Sequence, residues 1–167
     1  MTETQMLIEQ YKLVHEKKYY GTSAHIILKF FEAFIKELNP KSVLDYGCGQ
    51  GRLTDKLGYI QTRVQYDPAI PEYAELPDGQ FDLVIATDLL EHIPESGLDQ
   101  VLSHIAVYSD NAVISISLIK AVEILPNGQN AHCTIKPRDW WVTVLKKYFE
   151  KVELIYEVET FVIFKTF

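Results

Sequence analysis

The chain predicts an α/β fold: a doubly wound, mostly parallel sheet that finishes on an antiparallel pair of edge strands. Three observations carry this. Short apolar runs alternate with segments of helical periodicity from residue 24 to about residue 149. One run, "FDLVIAT" (81–87), is apolar almost throughout, as a strand covered on both faces must be. The C-terminal stretch then holds two more strand patterns, "VELIYEV" and "FVIFKT", with a tight turn near Glu159 between them.

Taken in order, residues 4–18 have helical character with Leu7, Tyr11 and Val14 on one face. "YYGTSA" (19–24) breaks that helix, and Ser23 is placed to cap the next. From Ala24 to Leu38, Ile27, Phe30, Phe31, Phe34, Ile35 and Leu38 recur at helical spacing, until Asn39-Pro40 stops the helix. A strand (42–46), a glycine turn, a brief helix (50–57) ended by Gly58, and a second strand "RVQYD" (63–67) follow. "PAIPEYAELPDGQ" (68–80) has three prolines and reads as loop with at most one short strand. A helix over 95–108 turns Leu98, Val101, Leu102 and Ile105 inward. "AVISIS" (112–117) is a strand, 118–135 is irregular, and Pro137 opens a helix that runs to about Phe149.

A chain of 167 residues predicts one domain, with helices in 1–39 on the substrate side and the sheet in 40–167. Its 47% hydrophobic and 23% charged content is that of an ordinary globular protein. A formal charge of −7 argues against a nucleic-acid partner gripped by phosphate neutralisation. Lys136, Arg138, Lys146, Lys147 and Lys151 read instead as a solvated helix face. Cys48 sits inside the glycine turn, so it and Cys133 are expected as reduced thiols of a cytoplasmic protein. The N-terminus lacks a signal-peptide core and no run of 18 apolar residues occurs, which predicts no membrane span. Composition does not specify an oligomeric state.

In "VLDYGCGQGRL" (43–53) glycine falls at every second position from Gly47 to Gly51, directly after a strand. Glycines there let the backbone adopt positive φ and approach a ligand at the carboxyl end of the strand. Asp67 follows Gly47 by 20 residues, where a carboxylate accepts hydrogen bonds from ribose hydroxyls. Asp45, Asp67, Asp88 and Glu91 all belong at or near strand carboxyl ends. That collection would repel a pyrophosphate and suits a cationic ligand, such as a sulfonium that also carries an ammonium.

"VLDYGCGQGRL", "VQYD" and "FDLVIATDLLEHIP" together resemble the class I S-adenosylmethionine-dependent methyltransferases over roughly residues 40–117. The resemblance implies a Rossmann-like sheet and S-adenosyl-L-methionine as cofactor. Carried over by position, Gly47, Cys48 and Gly49 line its methionine part, and Asp45 holds its ammonium indirectly. Asp67 takes the ribose hydroxyls, Asp88 ends the family's fourth strand beside the reactive methyl, and Tyr46, Pro68 and Leu89 complete the cofactor set. "KKYYGTSAH" resembles a segment of small stand-alone bacterial and phage methyltransferase domains that closes over the cofactor, which makes Tyr19 and Tyr20 lid residues. A core or staple role for one of them is the competing reading. Between its second and fourth strands the family usually has a helix, a third strand and an acidic or amide residue at the adenine. Here only 68–80 fill that space, so a reduced or missing third strand is expected. The adenine contact stays unassigned, with Glu75 and Leu76 in the right stretch.

Methyl transfer needs an oriented acceptor, exclusion of water and usually removal of a proton. "TDLLEHIP" lacks the Asn/Asp-Pro-Pro-aromatic signature of amino-directed nucleobase methyltransferases. His92 and His132 are the candidate catalytic bases, each with a hydrogen-bonded structural role as the competing reading. His15, His25 and His104 read as structural. If Asp88, Glu91, His92 and His132 converge, they form a site for a divalent metal such as Mg. That pattern resembles the metal-assisted ubiquinone-pathway O-methyltransferases and the 2′-O-methyltransferases of small-RNA 3′ ends. Glu-His after this strand also occurs in methyltransferases without metal. The expected acceptor is a small hydroxylated molecule, sugar-like or phenolic, met by the N-terminal helices, residues 118–136 and Trp140-Trp141, where stacking on a ring competes with packing of the helix onto the sheet, the favoured role for at least one Trp. The alternatives are a metal-assisted RNA-end 2′-O-methyltransferase and a non-catalytic cofactor-binding module.

Overall fold

Along each central strand the apolar side chains alternate between two faces, and this alternation sets the layers. Leu44, Val84, Ala86, Ile114, Ile116, Val162 and Phe164 point to one side; Val43, Leu83, Ile85, Val113 and Ile163 point to the other. In the computed structural model, which describes residues 1–21 and 23–167, these belong to β1 (Ser42–Tyr46), β3 (Leu83–Thr87), β4 (Ala112–Ser117) and β6 (Phe161–Lys165). With β2 (Thr62–Tyr66) and β5 (Glu153–Glu157) they form a six-stranded sheet of order β2-β1-β3-β4-β6-β5. The pairs from β2 to β4 are parallel, and β6 is antiparallel to both β4 and β5. The expected architecture is what forms.

On the first face, helices α5 (Glu95–Tyr108) and α6 (Arg138–Leu145) bury Leu98, Leu102, Ile105, Trp141 and Leu145. On the second lie α2 (Ala24–Ile27), α3 (Glu32–Leu38) and α4 (Leu53–Lys56), with Ile27, Phe31, Ile35, Leu53 and Leu57 inward. The single helix expected over 24–38 is broken. Residues 28–30 form a 3₁₀ turn and Phe31 leaves helical geometry at φ −133° while its ring is fully buried, so burial of Phe31 overrides helix continuation. Ser23 makes no capping bond, because its hydroxyl is used elsewhere. Thr22, inside the predicted break, lies outside the described residues.

No strand forms in 68–80; a 3₁₀ turn at Pro71–Tyr73 is its one regular element, and β2 is the sheet edge. Helix α1 (Glu3–Lys17) opens with a capping box between Thr2 and Gln5. Its Leu7 and Val14 pack on Leu125 and Ala131 of the irregular stretch, forming a small apolar cluster apart from the sheet. Among the described residues no helix is long and apolar enough to cross a membrane, and both cysteines are free thiols.

Candidate active site

The strand order reverses between β1 and β3, and the crevice at the carboxyl ends of these strands is where an open α/β sheet takes its ligand. Two chambers meet there, of about 380 Å³ and about 560 Å³. Both are bordered by Tyr20, Gly21, Gly47, Asp88 and His92, which form the neck between them.

The first chamber is floored by the turn after β1. Gly47 and Gly49 have φ of +77° and +56°, and a Cβ would stand 2.7 Å from Leu89 Cδ1 at the first and 2.6 Å from the Gly21 carbonyl oxygen at the second. Only glycine fits either position. Asp67 accepts from the Gly49 N–H and the Ala69 N–H, each at 2.9 Å, which fixes its carboxylate at the chamber wall. Tyr46, Pro68 and Leu89 line this chamber, while Cys48 faces the second. Asp45 lines neither. It is 1% exposed beneath the turn, and its Oδ2 has no partner among the described residues. Burial, reinforced by Asp67, pushes its pKa up to about 7.

Asp88 follows β3 with φ +50°, a conformation that needs holding for a non-glycine residue. Its N–H donates to Ser115, the Ser115 hydroxyl donates to one carboxylate oxygen, and the Ser23 hydroxyl donates to the other. Beyond it, Glu91, His92 and His132 converge, with one ligating atom from each within 4.8 Å of the others. Asp88 is not in that group, so three of the four residues expected at a metal site come together and the fourth is occupied by serines.

The three convergent residues offer lone pairs. His92 Nδ1 lies 3.0 Å from the Ala131 carbonyl and 2.6 Å from the Tyr11 hydroxyl, which itself donates to Ala131 at 2.8 Å. A carbonyl only accepts, so Nδ1 carries the proton and Nε2 is bare. His132 repeats the arrangement, with Nδ1 at 2.6 Å from the Ile119 carbonyl. The two rings meet edge to face with centroids 4.7 Å apart. Glu91 is fully buried; its Oε1 accepts from the Ser117 N–H at 2.6 Å, and its Oε2 is unpartnered among the described residues. Burial, then Asp88, holds the Glu91 carboxyl well above the usual range, whereas burial, then His132, brings His92 down to about 3. His92 is therefore neutral at physiological pH and a poor proton acceptor.

Tyr20 lies at the neck, its N–H donating to the Gln50 side-chain oxygen at 2.8 Å and its carbonyl accepting from the Gln50 N–H at 3.2 Å. Tyr19 is exposed at the rim of the second chamber. Of the two readings of the Trp pair, packing is the one that forms: Trp141 is fully buried against the sheet, Trp140 packs beside it under Lys136, and neither lines a chamber, which corrects their expected contact with the acceptor. Glu75 and Leu76 also stand away from both. His15 and His104, read as structural, line the first chamber. Tyr11, Ser23, Gln50 and Ser115 were missed. Ser23 lies within the segment already read as a lid, but nothing local in the sequence marks the other three.

The fold and the site define a class: a Rossmann-like, class I methyltransferase that uses S-adenosyl-L-methionine. The family model described as a methyltransferase domain matches residues 15–144, and the chain belongs to that family. Among curated proteins none matches. Of solved structures, the chain is similar to 1,6-didemethyltoxoflavin-N1-methyltransferase from Burkholderia thailandensis, crystallised with its substrate and S-adenosylhomocysteine. The TM-score is 0.69 at 13% identity, covering 99% of this chain and 90% of that one. It is also similar to the methyltransferase domain of the bacterial CtHen1 (TM-score 0.59, 19% identity, 82% and 96% covered). A third likeness is to the N-terminal domain of EvdMO1, solved with S-adenosylhomocysteine and D-fucose (TM-score 0.60, 15% identity, 89% and 84% covered).

Two features of the chain fit the cofactor. The turn at Gly47 and Gly49 is a cradle that any Cβ would fill, and the orphaned Asp45 oxygen beneath it is the buried negative group a cation would satisfy.

Proposed function

We propose that this chain O-methylates a small hydroxylated molecule, sugar-like or phenolic, held in the second chamber. The observation that carries this is the neighbouring pair of imidazoles whose Nδ1 atoms both meet carbonyls, which leaves Nε2 as the acceptor on two residues that line the second chamber. A hydroxyl is the complementary donor. S-adenosyl-L-methionine would supply an electrophilic methyl on a sulfonium. Asp67 would hold its ribose hydroxyls, Asp45 would offset its ammonium through the turn, and Gly47, Cys48, Gly49 and Asp88 would border its methionine end. His132, half-buried at the chamber wall, takes the acceptor proton through Nε2, while neutral His92 orients the hydroxyl. Residues 1–39 form the lid side, with Tyr20 pinned by Gln50 and Ser23 by Asp88. Among the neighbours, EvdMO1 was solved with a sugar, which supports this acceptor class.

The buried, unpartnered Glu91 Oε2 favours a second reading. Glu91, His92 and His132 would then hold a divalent cation that acidifies the acceptor, and His132 would be a ligand instead of a base.

The test is methyl transfer from labelled donor to pools of sugars, phenols and RNA, with and without chelator. Labelled sugar or phenol that survives chelator supports the base reading. Loss of that activity on chelation, restored by Mg²⁺ or Mn²⁺, moves the assignment to the metal. Label found only in RNA, or in no acceptor while S-adenosylhomocysteine still binds, overturns the proposal.

A further inference from the structure

One end of the first chamber has no role in the reading above. It lies between α1 and α5, beyond Asp67. The loop 68–80 contributes only Pro68 and Ala69 to the lining, so no side chain capable of reading a base comes from that side. The far end is closed by α1. Gly97 lets the two helices touch, since a Cβ there would meet Thr4 Oγ1 at 2.3 Å, and the Ser96 hydroxyl donates to Glu3 at 2.9 Å. Tyr46, Tyr66, Leu89, Ile93 and Val101 make most of the surface apolar. That is a slot for a flat aromatic ring.

Two polar side chains one helical turn apart on α5, Gln100 and His104, border the slot. The Tyr46 hydroxyl, which burial keeps protonated, has His104 Nδ1 as its partner at 3.3 Å. In the tautomer in which Tyr46 donates, the ring proton of His104 is on Nε2. The Gln100 amide has no hydrogen-bond partner among the described residues. Adenine presents an amino donor beside ring-nitrogen acceptors, and a glutamine amide pairs with both at once, its oxygen accepting and its nitrogen donating. An imidazole N–H serves another ring nitrogen.

We infer that Gln100 and His104 on α5 read the adenine base of the cofactor, at the one end of the chamber where the loop after β2 supplies no such group. The inference rests on the cofactor assignment, and the test separates the two. Calorimetric titration of the full chain compares S-adenosylhomocysteine with its 6-deamino purine analogue, in which a hydrogen replaces the amino group and N1 stays an acceptor, so that a flipped glutamine amide cannot restore the lost bond. Wild type is expected to prefer the adenosyl ligand by roughly tenfold, because the Gln100 oxygen is left unpaired in the analogue complex. Gln100→Leu, at an exposed helix position, should bring the two within about threefold of each other. Gln100→Glu, which can only accept, should keep the adenosyl preference while weakening both ligands, since its oxygens face the ring-nitrogen acceptor. His104→Leu should weaken both ligands alike. An unchanged preference in Gln100→Leu, or none in wild type, overturns the inference while leaving the cofactor assignment standing. Failure of wild type to bind either ligand overturns both.

Discussion

At the cofactor half of the cleft the floor is backbone from short contiguous stretches, whereas its α1 and α5 walls and the acceptor half are assembled from side chains on separate segments. Gly47, Gly49, Asp67 and Ala69 sit on the turns that end β1 and β2, and the bond tying them together spans 18 residues. From the α1 wall Tyr11 reaches His92 over 81 residues and Ala131 over 120, and at the second chamber Ser23 reaches Asp88 over 65. Two adjacent parallel strands leave a turn little freedom, so the first half has a rigid floor. The α1 wall of the first half, and His92 at the neck, depend on α1 staying docked through Leu7, Val14, Leu125 and Ala131, a cluster outside the two main cores. The glycine turn should therefore be the robust part of this site, and the contacts that run through α1 the fragile part.

The largest effect should break the first half alone. Gly49→Val puts a branched side chain at positive φ, against the Gly21 carbonyl. It should abolish S-adenosylhomocysteine binding by calorimetry, by more than about 100-fold, since relieving the clash moves the cradle itself. Near-wild-type affinity would mean that the turn is not the floor of the site.

Next in size is the complementary test. His132→Ala should lower kcat by roughly 10²–10⁴ if this residue takes the acceptor proton, with the Kd for S-adenosylhomocysteine unchanged. A matching loss of cofactor affinity would erase the division between the halves.

A smaller, pH-dependent effect sharpens the comparison. A free aspartate titrates near 3.9, but Asp45 titrates at about 7 in the folded chain. Between those values the folded state holds the extra proton, so this group's contribution to stability is full below about pH 4, falls as pH rises to about 7, and is flat above. A cationic ligand favours the ionised form, so affinity for S-adenosylhomocysteine should rise with pH up to about 7 and then level off. Asp45→Asn should remove that slope, weaken binding by about tenfold at pH 8, and melt at a higher temperature than wild type at pH 8. Calorimetric titrations and thermal melts from pH 5 to 8 read both signs. A wild-type affinity flat across that range would show that Asp45 does not face the ammonium.

The smallest effect belongs to the roof. Tyr11→Phe deletes a hydroxyl that bridges His92 and Ala131, while His92 keeps its carbonyl partner. A loss of about 1 kcal/mol should lower Tm by about 2–4 °C and slow turnover a few-fold, while affinity for S-adenosylhomocysteine, whose chamber Tyr11 also borders, falls no further than turnover does. An unchanged Tm with unchanged turnover would show that the hydroxyl bridge holds neither His92 nor the docked helix.

Legibility in the sequence follows the same division. The strand at 42–46, the helix at 95–108 and the strand at 112–117 form with the predicted bounds, because each apolar pattern is local and unbroken. The edge position of β2 also followed from the shortness of 68–80. The helix expected over 24–38 broke where Phe31 is drawn into the core, a tertiary demand that periodicity does not carry. Among the site residues, the glycine turn with Asp67 could be found by spacing. That His15 and His104 border the first chamber was not legible, because what a lone helical histidine faces depends on which helix packs opposite it.

The sequence by itself determined the strands and the cradle at Gly47 and Gly49, since apolar runs and a glycine turn are patterns of neighbouring residues. Only the tertiary structure decided that Glu91, His92 and His132 meet while Asp88 stands apart, and that Tyr11 and Ser23 reach across to hold His92 and Asp88. The physical reason is range. A backbone turn is specified within a few residues, but the direction of a lone pair is set by whichever carbonyl the folded chain brings to the other side of the ring.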